Sequence, residues 1–349
     1  MRKTASPLSL ALLGSGVFLL VLAAMLTWYV EPRAKRTPVD VDVTTVLTGP
    51  GRYFETEALE TRKGRLTITR HVLGDVADSE RTGRAVWDVS TTIDTPRTLR
   101  LKDPRKALLW TTGRWVTDRR TNEPVHCCAE SPARYEGEAY LKFPFDVQRR
   151  TYRWWDDTLR DAVPLRYAGT RWVAGYRGYV FTGSVPAART GTRQVPGKFV
   201  DRPRQPQIQA EEWYANAGIQ LVVDPLTGRI IDAVSSPRRT LRPPGGQRDV
   251  VTLLDGHRLR FTPATRRAQA ALADADATKR ELAGETVPLW AARAGGVLAL
   301  AGAVLVAIGR RPRPEDARRA DAPRADEPEG AGPEFLAPVT GHDGGRGAH

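Results

Sequence analysis

The chain has 349 residues, of which 41% are hydrophobic and 27% are charged, and its formal net charge is +13. This apolar content is sufficient for a packed core, which excludes a wholly disordered chain. The length allows one large domain or two small ones.

The positive excess belongs to the middle of the chain, where residues 31–286 contain 43 Lys and Arg against 32 Asp and Glu. Such a surface attracts anions such as lipid headgroups or acidic wall polymers. Alternatively, arginines on a solvated face need bind nothing. We expect no nucleic-acid partner.

The first predicted element is an apolar segment over residues 8–30 that carries no charge. It exceeds the roughly 20 residues that a helix needs to cross a bilayer. Trp28 and Tyr29 close it as interfacial aromatic residues. A cleavable signal peptide is the alternative, but its best cleavage site lies inside the apolar run. We therefore predict an uncleaved transmembrane helix, preceded by a cytoplasmic N-terminus over residues 1–7.

Residues 31–262 are predicted to form a β-rich domain outside the cytoplasm. Runs that alternate in polarity, or that are rich in β-branched and aromatic residues, indicate strands. These runs cover residues 66–72, 85–93, 107–118, 140–147, 171–185, 208–215, 219–224 and 229–235. Short spacings without long helices between them favour antiparallel pairing. The expected fold class is mainly β: an antiparallel curved sheet, a sandwich or a half-barrel.

Turn residues predict two of the connections in this domain. The sequence DPLTG at residues 224–228 has Pro early and Gly late between two apolar runs, which is typical of a hairpin. Residues 186–207 are rich in Pro, Arg and Gly, and we interpret them as a long excursion between strands.

A stalk helix is predicted over residues 263–286, with Pro263 at its start and Gly284 as a candidate C-cap. It leads into a second transmembrane helix over residues 287–309, where Arg293 lies near the outer interface. Arginines follow this helix at once, and the positive-inside rule places that end in the cytoplasm. The predicted topology is therefore a two-pass protein of the plasma membrane with both termini inside.

Small residues recur along the second apolar helix, at Gly295, Ala299 and Ala303. They predict close packing against the first helix or against a second copy of the protein, as a homo-oligomer. The tail over residues 310–349 is rich in Pro, Gly and charged residues, and it is predicted to be disordered in the cytoplasm.

Cys127 and Cys128 are adjacent and are the only cysteines in the sequence. In an oxidising compartment they could form a vicinal disulfide, with free thiols or intermolecular bonds as alternatives. His126 and Glu130 lie close by in the sequence. Because adjacent ligands rarely bind one tetrahedral ion together, we predict no metal site.

The sequence Trp154-Trp155-Asp156-Asp157 suggests a glycosidase, because such enzymes use two carboxylates and stack sugars on tryptophan. Adjacent carboxylates on an extended strand point to opposite faces, however, which favours core tryptophans with solvated aspartates. The sequence has no G-x-S-x-G, H-E-x-x-H or P-loop motif. We therefore predict no catalytic residues, no cofactor and no enzymatic activity.

Several runs of sequence resemble one known family. They are RTPVDVDVTTVLTG at 36–49, WDVSTTIDTP at 87–96, LKFPFDVQRRTYRWWD at 141–156, EEWYA at 211–215 and VDPLTGRI at 223–230. With the two-helix layout, they resemble an actinobacterial envelope family named the porin PorA family, over residues 8–308. The resemblance implies an envelope membrane protein with channel or transport function, and it offers no catalytic residues to carry over.

The leading hypothesis is a non-enzymatic membrane protein whose basic outer domain binds a lipid or an anionic envelope component. In its concrete form, a half-barrel shelters the lipid. An apolar groove would support this hypothesis, and a fully packed sandwich would count against it. The alternatives are a channel formed by oligomers and an enzyme acting on wall polymers. The enzyme would need two carboxylates, or a His–Asp pair, that converge in a cleft.

Overall fold

The computed structural model describes residues 6–30, 36–55, 57–131, 135–281 and 286–310. Apart from Ser6, Pro7 and Arg310, the predicted N-terminal segment over 1–7 and the predicted tail over 310–349 lie outside the described residues. The described residues divide into two compact units, one of residues 6–17 with 297–310 and one within residues 18–296. The boundaries predicted from sequence remain predictions.

The described residues contain five α-helices and eleven strands. The helices are α1 (Pro7–Met25), α2 (Val76–Thr82), α3 (Pro96–Leu101), α4 (Pro263–Glu281) and α5 (Val287–Arg310). The strands are β1 (Asp42–Glu55), β2 (Glu60–Gly74), β3 (Arg84–Asp94), β4 (Leu109–Asp118), β5 (Tyr152–Asp156), β6 (Asp161–Val173), β7 (Tyr176–Val195), β8 (Ile208–Val223), β9 (Ile230–Arg242), β10 (Val251–Gly256) and β11 (Leu259–Phe261).

Two helices near the chain ends, α1 with the π-helical turn Leu26–Val30 and α5, are long and apolar enough to cross a membrane. At 1.5 Å per residue, about 20 apolar residues span the hydrocarbon core of a bilayer. The prediction of an apolar helix near each end is therefore confirmed, and the chain has the build of a membrane protein.

In the unit of residues 6–17 and 297–310, α1 and α5 meet at small residues. A Cβ atom added to Gly16 would lie 2.3 Å from the backbone nitrogen of Ala299, and one added to Gly302 would lie 2.5 Å from that of Leu13. Such close backbone contact needs residues without side chains. Ala299 and Gly302 of α5 thus pack against the first helix, whereas Ala303 is exposed. The homo-oligomer remains a prediction.

The described strands form one antiparallel sheet in the order β4-β3-β2-β1-β10-β9-β8-β7-β6-β5, and β11 pairs with β1 and β9. The two ends of this order converge on one side chain. The ring of Tyr135 lies 4.3 Å from that of Trp115 on β4 and 5.3 Å from that of Trp155 on β5, centroid to centroid. The sheet is therefore strongly curved, as in a half-barrel, which confirms the predicted fold class.

An irregular segment over residues 135–147, here called the covering segment, fills the space between the ends of the sheet. Tyr140, Phe143 and Val147 are buried in a core of aromatic side chains. The prediction of a strand over residues 140–147 is wrong. The backbone of this segment hydrogen-bonds to the predicted turn at residues 224–228 instead, with the Phe143 N–H donating to the Gly228 carbonyl at 2.8 Å.

The predicted hairpin around that turn is confirmed, because β8 and β9 pair on either side of it. Gly228 has φ +71°, a left-handed conformation that favours glycine, and a Cβ atom there would lie 2.1 Å from the Phe143 carbonyl oxygen. The predicted excursion over residues 186–207 is too long. β7 continues to Val195 through irregularities in its pairing with β8, which leaves only 196–207 between the two strands.

Helix α4 packs on the outer face of the sheet, opposite the covering segment. Its Ala273 is fully buried against Val180, Val222 and Ile231. The neighbouring Leu221 belongs to the aromatic core on the inner face, as strand alternation requires. The prediction of a helix starting at Pro263 is confirmed.

Candidate functional site

The inner face of the curved sheet encloses a cavity of about 610 Å³. Strands from both halves of the sheet line it, together with the covering segment. The apolar lining includes Val43, Leu47, Ile68, Val72, Trp87, Ile93, Leu109, Leu141, Trp154, Trp155, Ile219, Leu221, Ile230, Ala233 and Phe261. The inner face is therefore hollow, and the sheet is not a fully packed sandwich.

One wall of the cavity is built from in-register rows that cross β1 to β4. An apolar row consists of Leu47, Ile68, Ile93 and Leu109, which are partners across adjacent strands. The next inward row consists of Thr45, Arg70, Thr91 and Thr111, and the row after it begins with Val43, Val72 and Val89. One cationic side chain thus stands in the middle of an otherwise uncharged wall.

Arg70 is held in place by two contacts. Its guanidinium carbon lies 5.3 Å from the ring centroid of Tyr140, and its Nε donates to Thr91 Oγ1 at 3.4 Å. A cation over an aromatic face is attracted by the ring quadrupole. Neither Nη atom of Arg70 makes a hydrogen bond or an ion pair to any residue that the structure describes. The fork of the guanidinium therefore remains available to a ligand.

The side chain of Trp87 belongs to the same wall, and it is only 3% exposed. Its indole N–H is buried and finds no acceptor within the described part of the chain. A buried donor without a partner costs free energy unless a water molecule or a ligand satisfies it.

Asp156 and Asp157 both line the cavity, at the end of β5. Asp156 is 9% exposed, so the expectation of two solvated aspartates is wrong for this residue. The strand ends here, and Asp156 Oδ1 accepts the backbone N–H groups of Thr158 and Leu159, each at 3.0 Å. Strand alternation no longer separates the two carboxylates, because Asp157 belongs to the following turn.

Each carboxylate also accepts a phenol O–H. Tyr214 donates to Asp156 Oδ2 at 2.9 Å, and Tyr140 donates to Asp157 Oδ2. The Trp155 indole N–H donates to Asp157 Oδ1 at 3.1 Å. Burial raises the pKa of Asp156 and, still more, that of Tyr214 and of Tyr140. All four carboxylate oxygens thus accept hydrogen bonds from donors of the protein itself, which indicates a structural role for Asp156 and Asp157.

A buried ion-pair cluster completes the polar end of the cavity. Glu212 is buried and pairs with Arg239 and, at 3.3 Å, with Arg193. Its neighbour Glu211 lies on the other face of β8 and pairs with Arg189 at 3.6 Å. Glu212 is therefore matched by protein cations.

Cys127 and Cys128 are joined by a disulfide bond in a segment that runs along the edge of β4. Backbone bridges Thr117–Pro124 and Arg114–Ser131 tie this segment to the strand on both sides of the disulfide. Neither cysteine lines the cavity. The His126 imidazole pairs with Glu130 at 2.9 Å, and the described residues contain no group of three or more His, Cys, Asp and Glu that could hold a metal ion.

The sequence analysis singled out Cys127, Cys128, Asp156 and Asp157, but not Arg70. A signal for Arg70 was nevertheless present. In the alternating run at residues 66–72, the inward positions are Leu66, Ile68, Arg70 and Val72. A lone charge on the apolar face of a strand indicates either a buried ion pair or a ligand contact.

Comparison with known protein families gives one finding. A family model described as Porin PorA matches residues 8–304. None of the curated proteins matches the chain.

Proposed function

The chain belongs to the porin PorA family, and from the cavity inside its curved sheet we propose that it is a non-enzymatic membrane protein that binds a lipid of the cell envelope. The apolar rows of the inner face would hold the alkyl chain. The observation that carries this proposal is a hollow inner face in a domain whose strands could otherwise have packed together.

The size and lining of the cavity support this function. Binding sites for small molecules typically measure about 300 to 1,000 Å³ and are mostly apolar with a few placed polar groups. The cavity of about 610 Å³, with its aliphatic rows and aromatic covering segment, fits that description. Removing an alkyl chain from water contributes roughly 0.8 kcal/mol per buried methylene group.

A channel is the second candidate, favoured by the name of the family. In a transmembrane strand the outward side chains must be apolar over the thickness of the bilayer. The outward positions of β2 and β3 carry Arg65, His71 and Asp88 instead. This pattern supports a water-exposed sheet, with α1 and α5 as the membrane-crossing elements.

We further propose that residues 31–286 lie outside the cytoplasm. Three arginines at the end of α5 and just after it support this topology through the positive-inside rule: Arg310, Arg311 and Arg313. An enzyme acting on wall polymers is less well supported. Asp156 and Asp157 do converge on the cavity, but their oxygens accept hydrogen bonds from the protein's own donors.

The test uses the full chain in lipid nanodiscs and a hexadecanoate probe with a photoreactive diazirine in its alkyl chain. After irradiation, labelled peptides are mapped by mass spectrometry. We expect label on β1 to β4 and β8 in addition to label on α1 and α5. Label on the two helices reports ordinary contact with the bilayer and serves as an internal reference.

Two matched variants test whether the label reports the cavity. Thr45 lines the cavity, whereas Thr44, its neighbour on β1, is exposed on the outer face. Thr45→Phe should reduce labelling of the sheet, because the ring occupies ligand space, and Thr44→Phe should leave it unchanged. Label confined to the helices of the wild-type chain would refute the proposal, and steady single-channel conductance in planar bilayers would favour the second candidate.

A further inference from the structure

We propose that Arg70 binds the anionic head of an amphiphile held in the cavity, so that the protein selects alkyl carboxylates or alkyl phosphates over neutral lipids. This inference rests on the proposed function and names the chemical class of its ligand.

The position of Arg70 is the first argument. It lies on the inner face, one row from Leu47 and Ile68 and one row from Val43 and Val72 on the other side. A ligand whose head meets Arg70 can therefore lay its alkyl chain along an apolar row without leaving the cavity. The threonines beside Arg70, Thr45 and Thr91, offer hydroxyl donors to the same head.

The unused hydrogen-bonding capacity of Arg70 is the second argument. Nε is occupied by Thr91, and the ring of Tyr140 supports the guanidinium, but both Nη atoms lack a partner among the described residues. Partial burial of a guanidinium costs solvation free energy, and no ion pair with a described carboxylate offsets this cost at Arg70. A bound carboxylate or phosphate would offset this cost by accepting two parallel N–H···O hydrogen bonds from the guanidinium.

The charges that line the cavity point the same way. The lining contains five cationic side chains, Arg70, Lys142, Arg160, Arg229 and Arg239, and three anionic ones, Asp156, Asp157 and Glu212. Glu212 pairs with Arg239, and Arg229 pairs with Asp276 of α4 at 2.7 Å. The lining thus contains more cationic than anionic side chains, which favours an anionic ligand.

Asp157 is the carboxylate that could oppose such a ligand. Its oxygens accept from the Tyr140 hydroxyl and the Trp155 indole, and it makes no ion pair with Arg70. Tyr140 thus stands between the two charges: its ring supports Arg70 and its hydroxyl binds Asp157. This arrangement keeps Arg70 free while it holds the competing carboxylate in place.

The experiment compares photoreactive hexadecanoate, hexadecyl phosphate and hexadecanol on the full chain in nanodiscs, above the pH at which the carboxylic acid ionises. We expect the two anions to label the strands of the cavity and hexadecanol to label them about tenfold less, relative to helix labelling. The ratio of phosphate to carboxylate labelling identifies which head the site prefers.

Variants of one strand provide the matched control. Arg70→Met should lower anion labelling of the cavity about tenfold and leave hexadecanol labelling unchanged. Arg70→Lys should give an intermediate value because it keeps the charge and loses the fork. Arg65→Met removes an exposed outward cation from the same strand and should have no effect.

The outcomes separate this inference from the function on which it rests. Equal labelling of the cavity by all three probes would overturn the role of Arg70 and leave lipid binding standing. Absence of cavity labelling by every probe would overturn both. If Arg70→Met fails to fold, the comparison of probes on the wild-type chain still decides the question.

Discussion

Arg70 and Arg114 belong to the same half of the sheet but to opposite faces, and their surroundings differ completely. On the outer face, Arg114 pairs with Asp75, with Asp78 at 2.8 Å and with Asp88 at 2.9 Å. On the inner face, Arg70 pairs with none of the carboxylates that the structure describes. One arginine is saturated by the protein and the other is not.

This contrast separates two uses of the same residue type. The three carboxylates around Arg114 come from β3 and from the start of α2, where Asp75 also caps the helix by accepting the Asp78 N–H at 3.0 Å. Such a hub joins elements and stabilises them. Arg70 makes only one side-chain hydrogen bond and one cation–π contact within the described residues, pairs with no carboxylate among them, and faces a cavity, which is why we assign it to ligand binding.

The largest loss of stability is expected from a substitution in the packed part of the inner face. Phe143 is fully buried in the covering segment and lies 4.8 Å from the Phe181 ring, centroid to centroid. Phe143→Ala should lower the free energy of unfolding by about 4 kcal/mol, because it empties a close-packed site. Thermal unfolding followed by tryptophan fluorescence measures this loss. Ile68→Ala, beside the existing cavity, should cost clearly less, and equal losses would mean that the inner face is packed throughout.

The next effect concerns the hub on the outer face. Arg114→Met leaves three carboxylates without their common partner, and we expect a loss of about 2 kcal/mol, since the 20% exposure of the side chain lets solvent screen part of the repulsion. The same unfolding measurement applies. Arg105→Met, at a highly exposed side chain 3.9 Å from Asp103, should leave stability unchanged. If Arg114→Met left the free energy of unfolding unchanged, the contrast between Arg114 and Arg70 would lose its basis.

A smaller effect should appear in the pH dependence of stability at Asp156. Burial raises the pKa of this carboxyl in the folded state, so the folded chain takes up a proton at a higher pH than the unfolded chain. Its contribution is therefore fully present below the unfolded pKa and is lost as the pH rises through the folded pKa. Asp156→Asn cannot titrate. The melting temperature of the wild-type chain minus that of the variant should increase as the pH falls toward 3.8. If this difference did not change with pH, the raised pKa of Asp156 would be contradicted.

Part of this architecture could be predicted because short stretches of sequence determine it. Charge-free runs predict α1 and α5, alternation predicts β2 and β3, and the Pro and Gly of residues 224–228 predict the hairpin. β1 was not predicted as a strand because Gly49, Pro50 and Gly51 interrupt the alternation of polar and apolar residues. A Cβ atom at Gly51 would lie 2.3 Å from the Leu66 side chain, so tight packing between strands explains this glycine.

The site was harder to predict, because it depends on pairings between distant parts of the chain. β1 pairs with β10, about 200 residues later, and the cavity exists only when both halves of the sheet curve around it. The covering segment was mistaken for a strand because buried aromatic residues give the same signal in both. Arg70 could have been recognised by its inward position, but not its lack of a partner.

The smallest effect is the one that distinguishes the two arginines most directly. Without ligand, Arg70→Met should change the free energy of unfolding by less than about 1 kcal/mol in either direction, because the lost contacts with Tyr140 and Thr91 are offset by the removal of a desolvated charge. With hexadecanoate added, the wild-type chain should become more stable and the variant should not, since a ligand stabilises only the folded state that binds it. A ligand-independent loss as large as that of Arg114→Met would make Arg70 a structural residue like its counterpart on the outer face.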